Sequence, residues 1–131
     1  MIASFFFLKK GVKKMNKQEV VFFNKKINAL TSEILQERVK GNGKIEKVTV
    51  RFYAGQGGDL HIKPIVIKQN GYREPMITYP ENSSQYLSGD DDLFVLDTSI
   101  QVDNDDYIAI EAENVNSTFS YTAIVSVEIN Y

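Results

Sequence analysis

The chain has 131 residues, of which 43% are hydrophobic and 24% charged, and its formal net charge is −2. This is enough apolar material for one globular domain with a core, and it lacks the basic surplus that phosphate binding requires, so nucleic acid is not an expected partner. The absence of cysteine excludes disulfides, thiolate catalysis and cysteine–zinc centres, and a single histidine, His61, excludes a histidine metal cluster within one chain.

The first residues form an apolar run, Ile2 to Leu8, that is followed rather than preceded by Lys9, Lys10, Lys13 and Lys14. A secretory signal carries its charges first and ends in a small-residue cleavage site, so no signal peptide is expected. The run is far short of the roughly 20 apolar residues that cross a bilayer, and its apolar and basic residues lie in blocks rather than on helical faces, so no membrane partner is expected either. Back-translating Lys9 to Met15 with A-rich codons places a GGAG ribosome-binding sequence just ahead of the Met15 codon. On this reading residues 1–14 are a leader outside the globular domain, which is residues 15–131. Without the leader's four lysines the net charge falls from −2 to −6, a solubilising balance.

Residues 16–40 read two ways. "EVVFFNKKI" is rich in β-formers, whereas Phe23, Ile27, Leu30 and Ile34 keep helical spacing. Two strands, Glu19 to Ile27 and Ser32 to Val39, are the preferred assignment. A short helix at Thr31 to Val39, with capping residues before it and glycine after it, is the alternative.

From Val48 onward the period is two. Val48, Val50 and Phe52 face one way, Thr49 and Arg51 the other. "GQGGD" at Gly55 to Asp59 resembles a phosphate-cradling loop, but a strand rather than a helix follows, which predicts a hairpin turn. In "GDLHIKPIVIK", Pro64 predicts an edge position or a bulge. "KQNGY", "YPENSSQYLSGDDD" and "VDNDD" are turn clusters. Beyond them Ile108, Ile110 and Ala112 oppose Glu111 and Glu113. Finally Phe119, Tyr121, Ala123, Val125, Val127, Ile129 and Tyr131 share a face, which predicts a long strand from Thr118 to Tyr131. Such a strand, ending the chain as an exposed edge, would pair with a neighbouring subunit. About eight short strands joined by turns mean an all-β antiparallel sandwich.

The stretch Ser88 to Asn114 holds seven aspartates and poses the question of a site. Asp90, Asp91 and Asp92 in one turn, with Asp103, Asp105 and Asp106 in the next, would supply oxygens for calcium if the turns met in space. The competing reading is that these acids nucleate turns and blunt strand ends. No other cofactor is indicated. His61 has no nucleophile motif near it in sequence and reads as a surface or half-buried strand residue. Glu111 and Glu113 read as a solvated face or as cross-strand ion-pair partners. Nothing singles out the acid pair of a glycosidase, so no enzymatic activity is expected. Asn82 and Asn116 match the glycosylation sequon but lack a secretory context. Several tyrosines lie in or near turns or at the chain end. Of these, Tyr72, Tyr79, Tyr86 and Tyr131 are candidate contacts for a protein or a glycan.

Three stretches follow a recurring plan: "KIEKVTVRFYAGQGGDLHIKPIVI", "SGDDDLFVLD" and "VDNDDYIAIEAENVNSTFSYTAIVSVEINY". A strand ending in glycine leads to Leu-x-Ile-x-Pro, an acidic Gly-Asp-Asp turn precedes a strand ending in aspartate, and an Asp-x-x-Asp turn leads to a strand with Glu-x-Asn and a long final strand. Over about Ile45 to Tyr131 this resembles small jelly-roll accessory proteins of prokaryotic tailed viruses and proviruses, which decorate capsids or form tails and fibres. The resemblance implies a jelly-roll sandwich located in a virion or in the cytoplasm of a prokaryotic host, which self-associates and docks to a larger protein assembly. The alternative function is a carbohydrate-binding module with a calcium-stabilised loop.

Overall fold

The computed structural model describes residues 17–131, so the reading of residues 1–14 as a leader lies outside the described residues. Eight strands follow one another: β1 (Gln18–Ile27), β2 (Thr31–Arg38), β3 (Gly43–Phe52), β4 (Leu60–Ile67), β5 (Arg73–Pro75), β6 (Asp92–Val102), β7 (Tyr107–Asn114) and β8 (Tyr121–Asn130). They form two four-stranded antiparallel sheets, ordered β1-β8-β3-β6 and β2-β7-β4-β5. The first strand pairs with the last, the second with the seventh, the third with the sixth and the fourth with the fifth. This is one long hairpin folded over on itself, the order of a jelly roll. Residues Thr31–Arg38 are strand β2 and not the alternative helix. Their pairing with β7 along the whole strand overrides the local helical spacing.

Alternation explains the core. Val48, Val50 and Phe52 from β3 and Ala123, Val125, Val127 and Ile129 from β8 turn inward from one sheet, and Ile108, Ile110 and Ala112 from β7 with Leu60, Ile62 and Val66 from β4 turn inward from the other; all are buried. Each large side chain so buried contributes about 1.5–3 kcal/mol of transfer free energy. Phe52 meets Phe94 edge to face, with centroids 5.8 Å apart.

Three local expectations give way to topology. Residues 53–59 do not close a hairpin, because β3 and β4 lie in different sheets and the segment carries the chain from one to the other. Glycines at Gly55, Gly57 and Gly58 all have positive φ, which suits this sharp passage as well as it would suit a hairpin. The last strand, β8, is not an edge: it lies between β1 and β3 and pairs along both sides. A polar outer face and an apolar inner face are common to central and edge strands of a sandwich, so period alone does not separate them. It also starts at Tyr121, leaving Phe119 exposed in the preceding loop.

Pro64 pairs with Ile110 inside the continuous β4–β7 ladder, and the register shift of the fold lies in the other sheet, between Ile45 and Lys47 of β3. Its carbonyl accepts from Met76 N on the side away from β7, just where β5 ends. The missing prolyl N–H therefore faces Met76, whose carbonyl accepts from the Thr98 hydroxyl (3.1 Å) in its place.

Candidate functional site

The two aspartate turns flank β6, one at each end. Eleven residues of strand at ~3.3 Å each hold them roughly 30 Å apart, so they do not share a ligand. At one end Asp90 Oδ1 accepts from Gly55 N (2.7 Å), Asp92 Oδ2 accepts from Asp90 N (2.8 Å) and Asp91 pairs with Arg51 (3.2 Å). At the other, Asp106 is only 1% exposed. Its Oδ2 accepts from Asp103 N (2.8 Å) and from Lys68 Nζ (2.7 Å), and the same ammonium reaches Asp103 Oδ2 at 3.3 Å. The hydrogen bond to Asp106 is the main reason the Lys68 ammonium is held above the ordinary lysine value; burial opposes it and Asp103 adds to it. Asp105 pairs with Arg38 at 3.1 Å. Among the described residues no group of three or more acidic or histidine side chains gathers in an arrangement suited to a metal ion.

The tyrosines separate into different roles. Tyr72 is exposed in the turn between β4 and β5. The Tyr131 hydroxyl donates to Glu19 Oε1 (2.7 Å) and accepts from Lys40 N (3.1 Å), while its backbone N–H donates to Lys17 O, tying the chain end to the start of β1. Burial, together with the neighbouring Glu19, pushes the Tyr131 hydroxyl up to about 12, against the Lys40 N–H that favours the phenolate. Burial also disfavours the Glu19 carboxylate, but hydrogen bonds from Lys40 and Tyr131 outweigh it and hold Glu19 below its ordinary value. Tyr79 and Tyr86 both belong to the 76–91 connection, which lies along the sheet β2-β7-β4-β5 through a two-way backbone bridge between Ile62 and Leu87.

There the structure brings together residues that the sequence did not single out as a group. Register aligns Ser32, Glu113 and His61 in one row across β2, β7 and β4, and Ile34, Glu111 and Lys63 in the next. All point away from the core, and with Glu33, Gln85, Tyr86 and Ala112 they line an open groove of about 750 Å³. Tyr86 stacks on His61 with ring centroids 3.9 Å apart and planes 15° from parallel. His61 Nδ1 lies 3.4 Å from Glu113 Oε1 without hydrogen-bond geometry. Glu111 is paired with Arg73 and Glu33 with Lys25. The Tyr79 hydroxyl is buried without a partner, and burial, with the Glu111 charge adding, pushes it up to about 12.

Serine, glutamate and histidine in one row suggest a hydrolase triad, but the order is wrong. Glu113 stands on the strand between Ser32 and His61, whose strands are two spacings, roughly 10 Å, apart, so His61 does not reach the serine hydroxyl. Glu113 lies across from His61 on the neighbouring strand, and His61 is the half-buried strand residue expected. One signal for the groove was present in the chain: His-x-Lys on one alternating strand and Glu-x-Glu on another are complementary rows. Asn116, in one of the sequons, has its side chain engaged: Oδ1 accepts from Thr118 N and Phe119 N, and Nδ2 donates to Asp59.

No protein-family profile matches the chain, and no curated protein matches it. Among solved structures, it overlaps the VP2 subviral particle of infectious bursal disease virus with a TM-score of 0.47 and 12% identity, over 88% of this chain and 33% of that one. A structure of the Gx strain of the same virus overlaps with a TM-score of 0.43 and 13% identity, again over 88% and 33%. The chain thus spans about a third of the length of the proteins it overlaps. Strand order defines the fold independently of these overlaps. No helix among the described residues is long and apolar enough to cross a membrane.

Proposed function

We propose that the chain is a non-catalytic structural module of a virion or similar assembly, a decoration, fibre or tail component that self-associates and docks to a larger shell. The observation that carries this reading is the outer face of the β1-β8-β3-β6 sheet. Phe22 and Val95 stand on it 59% and 53% exposed, with Val20 and Leu93 beside them. Register puts Phe22, Ser126, Thr49 and Val95 in one row across the four strands and Val20, Glu128, Lys47 and Asp97 in the next. The second row alternates in sign. In a two-fold contact Lys47 of one copy would meet Asp97 or Glu128 of the other while the apolar edges, Phe22 on β1 and Val95 on β6, cover each other, which makes the face self-complementary. Exposed apolar pairs at both edges of one sheet face, Val20 with Phe22 on β1 and Leu93 with Val95 on β6, favour such an interaction role.

The test is sedimentation velocity across a concentration series. The expected result is reversible association that Phe22→Asp combined with Val95→Asp abolishes, with unchanged far-UV circular dichroism. A chain that stays monomeric at its highest soluble concentration overturns the self-association half of this reading.

A further inference from the structure

We infer that the groove on the opposite sheet is a binding site for a neutral oligosaccharide. It uses none of the residues of the self-association face, so the two readings stand or fall separately. The volume of about 750 Å³ lies within the usual range for small-ligand sites. Its wall supplies what a sugar needs at once. A pyranose ring has an apolar C–H face and a rim of hydroxyls, each of which both donates and accepts. Tyr86 is held flat by its stack on His61, so an aromatic surface is presented with little rotamer freedom left to lose on binding. Exposed Ile34 adds apolar surface on the β2 side.

Around these lie acceptors and donors in alternation. Glu111 and Glu113 project from neighbouring outward positions of β7, Lys63 stands opposite Glu111 on β4, and Gln85 lies beside Tyr86. Carboxylates accept only, the lysine ammonium donates only and the amide does both, which matches hydroxyl groups of mixed role. The pairing of Glu111 with Arg73 fixes one acceptor in place before a ligand arrives.

Charge selects among sugars. Glu33, Glu111 and Glu113 line the groove, and Lys25, Arg73 and Lys63 beside them leave no positive surplus to receive an anionic sugar. Sialylated or sulfated glycans would bring like charge against these carboxylates, whereas neutral hexose chains would not.

The test is an array of neutral and anionic glycans, followed by ¹H–¹⁵N correlation spectra of the full chain titrated with the best-retained neutral glycan and its sialylated counterpart. The expected result is retention of neutral glycans and shifts confined to amides of residues 32–34, 61–63, 85–86 and 111–113. Affinity should fall about tenfold in Tyr86→Ala, the loss of one aromatic contact. A second variant, Glu113→Gln, changes an exposed side chain without touching the core and should weaken binding of the neutral glycan while relaxing rejection of the sialylated one. No retention of any neutral glycan, shifts that persist unchanged in both variants, or binding of a tetra-lysine peptide in place of sugar would overturn the inference.

Discussion

The two sheets obey the same alternation and yet present different outer faces. On β1-β8-β3-β6 the outward apolar residues Val20, Phe22, Leu93 and Val95 are uncovered. On β2-β7-β4-β5 the outward residues Ile65 and Ala109, register partners of each other, are 2% and 0% exposed and stand apart from the central core cluster. We attribute the difference to the 76–91 connection. It must carry the chain from β5 in one sheet to β6 in the other, and it lies against the β4 side with Tyr86 on His61 and Tyr79 near Glu111. An outward apolar side chain is thus structural where a connection covers it and free for a partner where none does.

Truncation tests this contrast most directly. Ile65→Ala should cost about 2–5 kcal/mol in a urea melt, as a core position would, whereas Val95→Ala should stay within about 0.5 kcal/mol. Equal costs would erase the distinction between the faces. The next effect belongs to the two ends of β6. Asp106→Ala removes the acceptor for Asp103 N–H and leaves the half-buried Lys68 ammonium with only its longer partner, so a loss of about 1–3 kcal/mol is expected. Asp91→Asn, which removes the charge of an exposed pair with Arg51 and keeps a side chain suited to the left-handed backbone there, should be within about 1 kcal/mol of wild type.

Titration separates the two buried hydroxyls. Both Tyr79 and Tyr131 are raised to about 12 from an ordinary value of 10.0, so both favour the protonated form in the folded chain. The unfolded chain releases these protons first. Their contribution is intact below pH 10 and is lost as pH climbs from there through about 12. Replacing either with phenylalanine should flatten this alkaline decline. At neutral pH the two variants should part: Tyr79→Phe removes a buried hydroxyl without a partner and should not destabilise, whereas Tyr131→Phe loses its bonds to Glu19 and Lys40 and should. The smallest effect is on the acid side. Glu19 is held below its ordinary 4.5, so its contribution is present above that value and fades as pH falls through the lower folded value. Glu19→Gln should flatten the stability curve there, as read by thermal melts between neutral and acidic pH.

Most strands were legible because period two is written locally. Val48, Val50 and Phe52, and Val125, Val127 and Ile129, turn inward as their spacing requires. The segment Thr31–Arg38 was not decided by its own residues, since spacing that suits a helix also leaves Leu35 free to pack on the core from a strand. The acidic turns were legible as turns, with Asp91 and Asp105 in the left-handed region that aspartate tolerates. That Lys68, just past the end of β4, meets Asp103 and Asp106 was not legible, because it lies in a different part of the sequence.

The sequence by itself determined an all-β sandwich, its inward residues and the places where it turns, since these depend on neighbours two positions apart. Only the tertiary structure decided that β8 is central, that residues 53–59 cross between sheets, and that Tyr86, His61 and Glu113 share a groove. Those facts rest on pairings between distant strands. The entropy of closing the loops between them grows only slowly with length, so loop lengths alone leave many pairings open, and the burial of every inward face at once selects among them.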